Sequence, residues 1–230
     1  MLDYVTGRHV VVLVSGGLDS TTLLHAVCSK APAVVHLLSY RYGQRHDREV
    51  EMAAWQIRRL GLEQQWETLE LDVFAQLAGG ASTLLKQGQP VPALSKLAPE
   101  ERDQPPTYVP NRNMVMLSLA AAFAEARHCT MVFYGAQAQD EYGYWDCTEE
   151  FVERLNQVFA LNRRTRVRVE APFLHYSKAQ IIRLGLELGV DYAHTWSCYR
   201  GGESPCGECP TCVERANAFR EVGIADPLLS

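Results

Sequence analysis

The sequence predicts an α/β protein: a doubly wound, mainly parallel sheet of about five strands with helices on both faces, and a cysteine-rich lobe at the C-terminal end. Three observations carry this. Short β-branched runs alternate with stretches of helical period, a glycine loop follows the first run at once, and four of the seven cysteines fall between Cys198 and Cys212. With 230 residues, 47% of them hydrophobic and 21% charged, the chain has ample apolar surface for one enlarged core and no compositional sign of disorder. The expected organisation is an α/β domain over 1–190 with a segment over 191–230 packed on it as one structural unit.

Each element has its own reason. Residues 10–14 are a β-branched run suited to a buried parallel strand, and a helix follows over about 20–29. Residues 33–39 form a second apolar run. Val50, Ala53, Ala54, Ile57 and Leu60 recur at helical spacing, and Gly61 supplies a stop. Residues 65–71 alternate as a third strand, residues 131–134 make a fourth that ends at Gly135, and residues 166–169 make a fifth. The stretch 113–126 is apolar nearly all round, which predicts a helix buried on more than one side. Ser177 with Gln180 three places on reads as a capping box, opening a helix whose Ile181, Leu184 and Leu188 face inward. The stretch 79–110 is rich in Gly, Pro and Ser without a period. It is too long for an idle connection and reads as a mobile lid or a partner surface.

Composition excludes several classes. A net charge of −5 argues against stable binding along a nucleic-acid backbone, and the basic cluster Arg163, Arg164, Arg166 and Arg168 reads as a solvated helix end and strand. The opening stretch has only five consecutive apolar residues, Val10 to Val14, too few for a signal-peptide core or a membrane span. A cytoplasmic protein is expected.

In an open parallel sheet, ligands bind beyond the carboxyl ends of strands, so the loops after strands are the informative ones. The first is Ser15, Gly16, Gly17, Leu18, Asp19 and Ser20, where a strand turns into a helix. Glycines let backbone N–H groups close around an anion and the helix N-terminus adds its positive end, which suits a phosphate or pyrophosphate. The pattern GxxxxGK[ST] is absent, which counts against a Walker-type NTPase. SGGLDS is similar instead to the SGGxDS loop of enzymes that split ATP between its α and β phosphates. The second strand is followed by YRYGQRH and the fourth by GAQAQDEYGYWDC.

Cys198, Cys206, Cys209 and Cys212 give the spacing C-x7-C-x2-C-x2-C. Two-residue gaps let thiolates converge on one tetrahedral ion, with Zn2+ the default choice and an iron–sulfur cluster the alternative that takes the same donors. Four thiolates fill the coordination sphere, so such a zinc is structural. Cys28 and Cys129 read as small core residues, while Cys147 lies in a polar loop beside Asp146.

Taken in order, VSGGLDSTT, YGQRH, VPNRN, DEYGYWDC, the lysine of YSKAQII and SCYRGGESPCGECPTCVER resemble the landmarks of the 7-cyano-7-deazaguanine synthases over nearly the whole chain. The resemblance implies an adenine nucleotide alpha hydrolase-like fold and a homodimer. It also implies a ligase that converts 7-carboxy-7-deazaguanine and ammonia to the nitrile with two ATP, through an adenylated acid and an adenylated amide. By the same resemblance, Ser15, Gly16, Gly17, Leu18, Asp19 and Ser20 hold the phosphates, Asp19 contacts Mg2+, and Lys178 neutralises the departing pyrophosphate. Tyr42, Gln44, Arg45, His46, Arg112, Asn113 and Gly135 border the nucleotide. Asp140, Tyr144, Asp146 and Cys147 shape the deazaguanine pocket. Each assignment has a bland counterpart: His46 reads equally as a satisfied structural histidine, Lys178 as an exposed first-turn lysine, and Arg112 as a surface helix residue. The chain departs from the commoner family pattern at Leu18, Asn111, Trp145 and Thr148, where Gln, Gly, Pro and Arg are usual. A related ligase that stops at the amide or passes the deazaguanine to another amine therefore stays open, as does a tRNA-modifying enzyme.

Overall fold

The computed structural model describes residues 1–45, 47–98, 101, 105–138 and 143–229. Its centre is β1 (His9–Leu13), which shows how a parallel strand of this sequence meets the need to be covered on both faces. Val10 and Val12 point into one core and Val11 into the other, following the two-residue period of a strand. β2 (Val34–Arg41), β3 (Trp66–Glu70), β4 (Met131–Phe133) and β5 (Arg168–Glu170) complete a five-stranded sheet in the order β3-β2-β1-β4-β5. Every pairing is parallel.

Seven α-helices lie among the described residues: α1 (Leu18–Cys28), α2 (Arg48–Arg59), α3 (Asp72–Ala78), α4 (Arg112–Ala126), α5 (Glu149–Phe159), α6 (Lys178–Glu187) and α7 (Pro210–Val222). Leu23, Ile57, Ile181 and Phe219, from α1, α2, α6 and α7, pack with Val10 and Val12 on one face. Leu117 and Ala120 of α4 and Phe151 and Leu155 of α5 pack with Val11 on the other. The predicted doubly wound architecture is the one observed.

The predicted strands match within about two residues at each end, the usual uncertainty of a boundary. The fifth begins two positions late. Its register is fixed by Asn156, which accepts the Val169 N–H at 2.8 Å and donates to the Val169 carbonyl at 2.9 Å. The capping box forms as read: Ser177 Oγ accepts from Gln180 N at 3.3 Å, and Gln180 Oε1 accepts from Ser177 N at 2.8 Å. Two helices, α3 and α7, went unpredicted. The first is a single short piece whose apolar residues do not keep to one face, Phe74 being buried and Leu77 exposed, and the second is masked by cysteine and proline at its start, where Pro210 occupies a position that tolerates a missing N–H.

In its described part the stretch 79–110 packs as a wall against the rest of the fold. Leu84, Leu85, Val91, Ala93 and Val109 are buried, and Leu94 N–H donates to the Glu208 carbonyl at 2.9 Å, stitching the wall to the cysteine lobe. The basic cluster is exposed, as expected of a solvated helix end. Cys129 is fully buried and Cys28 partly so. Among the described residues no helix is long and apolar enough to cross a membrane.

The C-terminal segment shares the main core through Tyr192, Ala218 and Phe219. Buried Arg215 pairs with Asp226 at 2.7 Å and also donates to the Tyr192 carbonyl and the Thr195 hydroxyl. A second internal polar tie links three helical layers: His25 of α1 meets Gln56 of α2 at 3.3 Å, and Gln56 Nε2 donates to the carbonyls of Asp191 and His194. Burial holds the His25 imidazole below its ordinary value of 6.5, with Gln56 pulling the other way. A lowered folded value means the unfolded chain binds more protons, so the native state loses stability as pH falls through 6.5 and below. We predict a urea midpoint that drops across this window, with a smaller drop in His25→Gln. An equal drop in both proteins would remove His25 from the account.

Candidate active site

The order β3-β2-β1-β4-β5 places a crevice where the strand order reverses, between the carboxyl ends of β1 and β4. A cleft of about 280 Å³ opens there. Its floor is the Ser15–Ser20 loop. α1 starts with Gly17 as its cap and no side chain covering its first N–H groups, which leaves the positive end of an eleven-residue helix facing the cleft. The loop is braced by its own hydroxyls: Ser15 and Ser20 Oγ lie 2.9 Å apart, and Ser20 Oγ accepts the Ser15 N–H at 3.2 Å.

Gly16 has a different task from the one its motif suggests. It does not line the cleft; its φ is +89°, and a Cβ there would lie 1.8 Å from the Glu49 carbonyl oxygen and 2.6 Å from Ala53 N. Only glycine lets the loop lie against α2 at this distance. Gly135 plays a matching role at the end of β4, where a Cβ would come within 3.1 Å of Ser20 N.

Above the loop, Lys178 at the start of α6 is 11% exposed and bridges two carboxylates, Asp19 at 3.2 Å and Glu214 at 3.0 Å. It is not an exposed first-turn lysine. Burial pushes the Asp19 carboxyl up, Lys178 pulls it back, and Glu214 adds to the rise. Asp19 Oδ1 is buried without a hydrogen-bond partner. An orphaned anionic oxygen beside a phosphate-sized floor fits a divalent cation such as Mg2+.

On the β2 side, Tyr42, Gln44 and Arg45 reach the cleft. The polar atoms of the last two are largely committed to the fold. Gln44 Oε1 accepts Tyr42 N–H at 2.7 Å, while the Arg45 guanidinium donates to the carbonyls of Thr83, Gly88 and Gln89 and so clamps the 79–110 wall. Arg112, the first residue of α4, lines the cleft rather than the surface and donates to Tyr42 Oη at 3.3 Å. Burial opposes its charge, but Tyr42, Tyr199, Tyr144 and Asp146 together hold it protonated.

On the far wall, Tyr144 and Cys147 line the cleft, and Asn113 Nδ2 lies 3.2 Å from Cys147 Sγ. Asp146 stands behind them instead. It is 2% exposed and accepts the Asn113 N–H at 3.0 Å, capping α4 from a distant loop. Asn111, where the commoner pattern has glycine, sits at φ +55°, a conformation glycine enters freely and asparagine tolerates. Thr148 Oγ accepts from Phe151 N at 3.1 Å and caps α5, and Trp145 donates to Tyr108 Oη at 2.7 Å. Leu18 packs into the core below the loop and also borders the cleft. His46 and Asp140 lie outside the described residues.

The four cysteines converge. Their sulfur atoms all lie within 4.8 Å of one another, and the Cys206 and Cys209 N–H groups point to neighbouring sulfurs at 3.4 and 3.3 Å. Zn–S bonds of about 2.3 Å in a tetrahedron need sulfurs just under 4 Å apart, so the donor set fits a metal with little adjustment. The cluster adjoins the cleft. Trp196 N–H donates to the Gly16 carbonyl at 3.0 Å, Cys209 caps α7, and α7 carries Thr211 and Glu214 to the cleft wall. Glu49, Trp196, Ser197, Tyr199, Thr211 and Glu214 were missed as site residues. Glu214 lies within the quoted cysteine segment, but its role depends on how α7 is aimed, and no local pattern encodes that.

A family profile described as Queuosine biosynthesis protein QueC matches residues 9–223. The chain belongs to this family. It is 44% identical over 219 residues to the 7-cyano-7-deazaguanine synthase of Chromohalobacter salexigens, covering 95% of this chain and 84% of that protein. Against the enzyme of the same description from Caldicellulosiruptor bescii it is 41% identical over 218 residues, covering 95% of each. Solved structures share the fold at low identity. NMN synthetase from Francisella tularensis superposes with a TM-score of 0.50 at 14% identity, over 99% of this chain and 79% of that one. A 4-thiouridine synthetase in complex with RNA and bound ATP gives 0.51 at 16% identity, over 94% of this chain and 51% of that one.

Proposed function

We propose that this member of the family is a 7-cyano-7-deazaguanine synthase, a carbon–nitrogen ligase that turns 7-carboxy-7-deazaguanine and ammonia into the nitrile at the expense of ATP. The observation that carries the mechanism is Lys178, suspended between Asp19 and Glu214 directly above the Ser15–Ser20 loop, in the same cleft as Tyr144 and Cys147. A carboxylate is a poor electrophile until one oxygen is adenylated, after which ammonia displaces AMP and gives the amide. Adenylation of the amide oxygen then permits elimination to the nitrile. Both steps expel pyrophosphate, so a single loop serves twice.

In this reading the α1 N-terminus and the Ser15 and Ser20 hydroxyls hold the outer phosphates. Lys178 meets the charge that develops on the leaving pyrophosphate, and Asp19 Oδ1 would hold Mg2+, which shields the phosphates when bound. Arg112 and Tyr42 border the nucleotide, and Tyr144 offers an aromatic face for the deazaguanine ring. The cysteine tetrad would hold Zn2+, which supplies folding free energy to the α7 end of the cleft. The homodimer implied by the resemblance and the cytoplasmic location expected from the short apolar run at Val10 to Val14 belong to the same reading.

The test is mass spectrometry of the product formed from ATP, ammonium and 7-carboxy-7-deazaguanine, with AMP and pyrophosphate measured together. Nitrile with both by-products is the expected outcome. Amide alone would transfer the chain to a related ligase, and no turnover of this acid would end the proposal.

A further inference from the structure

Among the described residues three carboxylates line the cleft: Asp19, Glu49 and Glu214. Two are committed, since Lys178 bridges Asp19 and Glu214 and Gln137 donates to Glu214 at 3.3 Å. Glu49, in the first turn of α2, accepts no hydrogen bond from any described residue. The neighbouring side chain of its own helix does not pair with it, because Arg48 pairs with Glu51 at 3.7 Å. Among the described residues, the charged and titratable groups that face it come from two other elements. Arg112 on α4 attracts it, and Tyr42 after β2 feels its charge. Arg45, nearby in the same loop, has its guanidinium on backbone carbonyls.

We propose that Glu49 is the docking point for the nitrogen donor: it binds ammonium in the cleft and takes a proton from it, releasing ammonia to attack the adenylated acid. The inference rests on the ligase reading above. Ammonium is a small cation, and a cleft carboxylate with no competing hydrogen-bond donor among the described residues is the chemistry that selects it. Ammonium cannot act as a nucleophile, because its lone pair is held by the fourth proton.

The step balances. Ammonium gives one proton to the Glu49 carboxylate, and the freed lone pair forms the C–N bond at the acyl carbon. The C–O bond to the adenylate breaks, and AMP leaves with that electron pair. The excess proton on the new amide nitrogen passes to water, and Glu49 returns its own proton to solvent before the next turnover. Burial lifts the Glu49 carboxyl to about 7, opposed by Arg112, which leaves the group able to gain and lose a proton near neutrality.

Glu49→Gln tests this with three readouts from one preparation. The first is ATP–pyrophosphate exchange with 7-carboxy-7-deazaguanine in the absence of a nitrogen donor. The second is amide and nitrile formation from ammonium chloride. The third is hydroxamate formation from hydroxylamine, which is already a free base at neutral pH. Expected are exchange and hydroxamate formation within about three-fold of the wild type, and ammonium-dependent product lower by roughly 100-fold or more. Ammonium-dependent turnover near the wild-type rate overturns the proposal. So does an equal loss of all three activities, which would make Glu49 part of the nucleotide or acid site. Failure of the wild type itself to exchange pyrophosphate with this acid would instead strike the ligase reading.

Discussion

Replacement of Lys178 by alanine lowers AMP and pyrophosphate release by about 100-fold to 1,000-fold, the range seen when one preorganised donor to a developing charge is removed. The wild-type ammonium holds Asp19 at 3.2 Å and Glu214 at 3.0 Å, in a site where its side chain is 11% exposed. Alanine takes away the cation that the proposed mechanism sets against the leaving pyrophosphate and leaves two carboxylates facing each other. Their repulsion favours protonation of Asp19, whose burial already pushes it up, and that further weakens its hold on a metal. Both losses act on adenylation and therefore on both halves of the reaction. The measurement is single-turnover AMP release, with a thermal melt to show that α6 still docks. Release near the wild-type rate in a folded variant would remove Lys178 from the catalytic account.

Cys209→Ser is expected to empty the metal site and unfold the C-terminal end of the cleft. Cys209 is fully buried, caps α7, and receives a contact from Thr211 Oγ at 3.5 Å. A structural zinc site contributes on the order of 10 kcal/mol or more at neutral pH, comparable with the whole stability margin of a domain. Three ligands and a hydroxyl cannot keep most of that. The variant is therefore expected to purify without stoichiometric zinc and to melt well below the wild type. Because Trp196 N–H holds the Gly16 carbonyl and α7 delivers Glu214 to Lys178, its ATP affinity is expected to fall as well. Metal analysis, calorimetric melting and ATP titration check the three parts. A zinc-free protein with unchanged melting and ATP binding would show that the tetrad braces nothing. Iron in place of zinc in the wild type would select the cluster alternative.

The features legible in the sequence are those with a local cause. Strand runs, the helical period of α2, the capping box at Ser177 and the glycine loop each follow from neighbours within a few positions. The convergence of the cysteines was legible for the same reason, since two-residue gaps confine three sulfurs to one turn and its edge. α7 was not, because its opening turn carries cysteine and proline instead of an apolar stripe, and it is fixed by Phe219, Ala218 and the buried Arg215–Asp226 pair. The described residues of 79–110 pack as a wall without a period, held through their own backbone carbonyls by the Arg45 guanidinium, a tie that no side-chain pattern records.

By itself, the sequence determined the doubly wound sheet, the anion-holding turn after β1, the sulfur tetrad and the family. Tertiary structure alone decided which charges meet. It set Lys178 between acids 159 positions before it and 36 after it, turned Asp146 into a cap for α4, made Gly16 a contact with α2, and left Glu49 in the cleft with no hydrogen bond from a described residue. The physical reason is range. Backbone conformation and thiolate spacing depend on neighbours along the chain, while burial and Coulomb interactions depend on distances through space, which packing alone fixes.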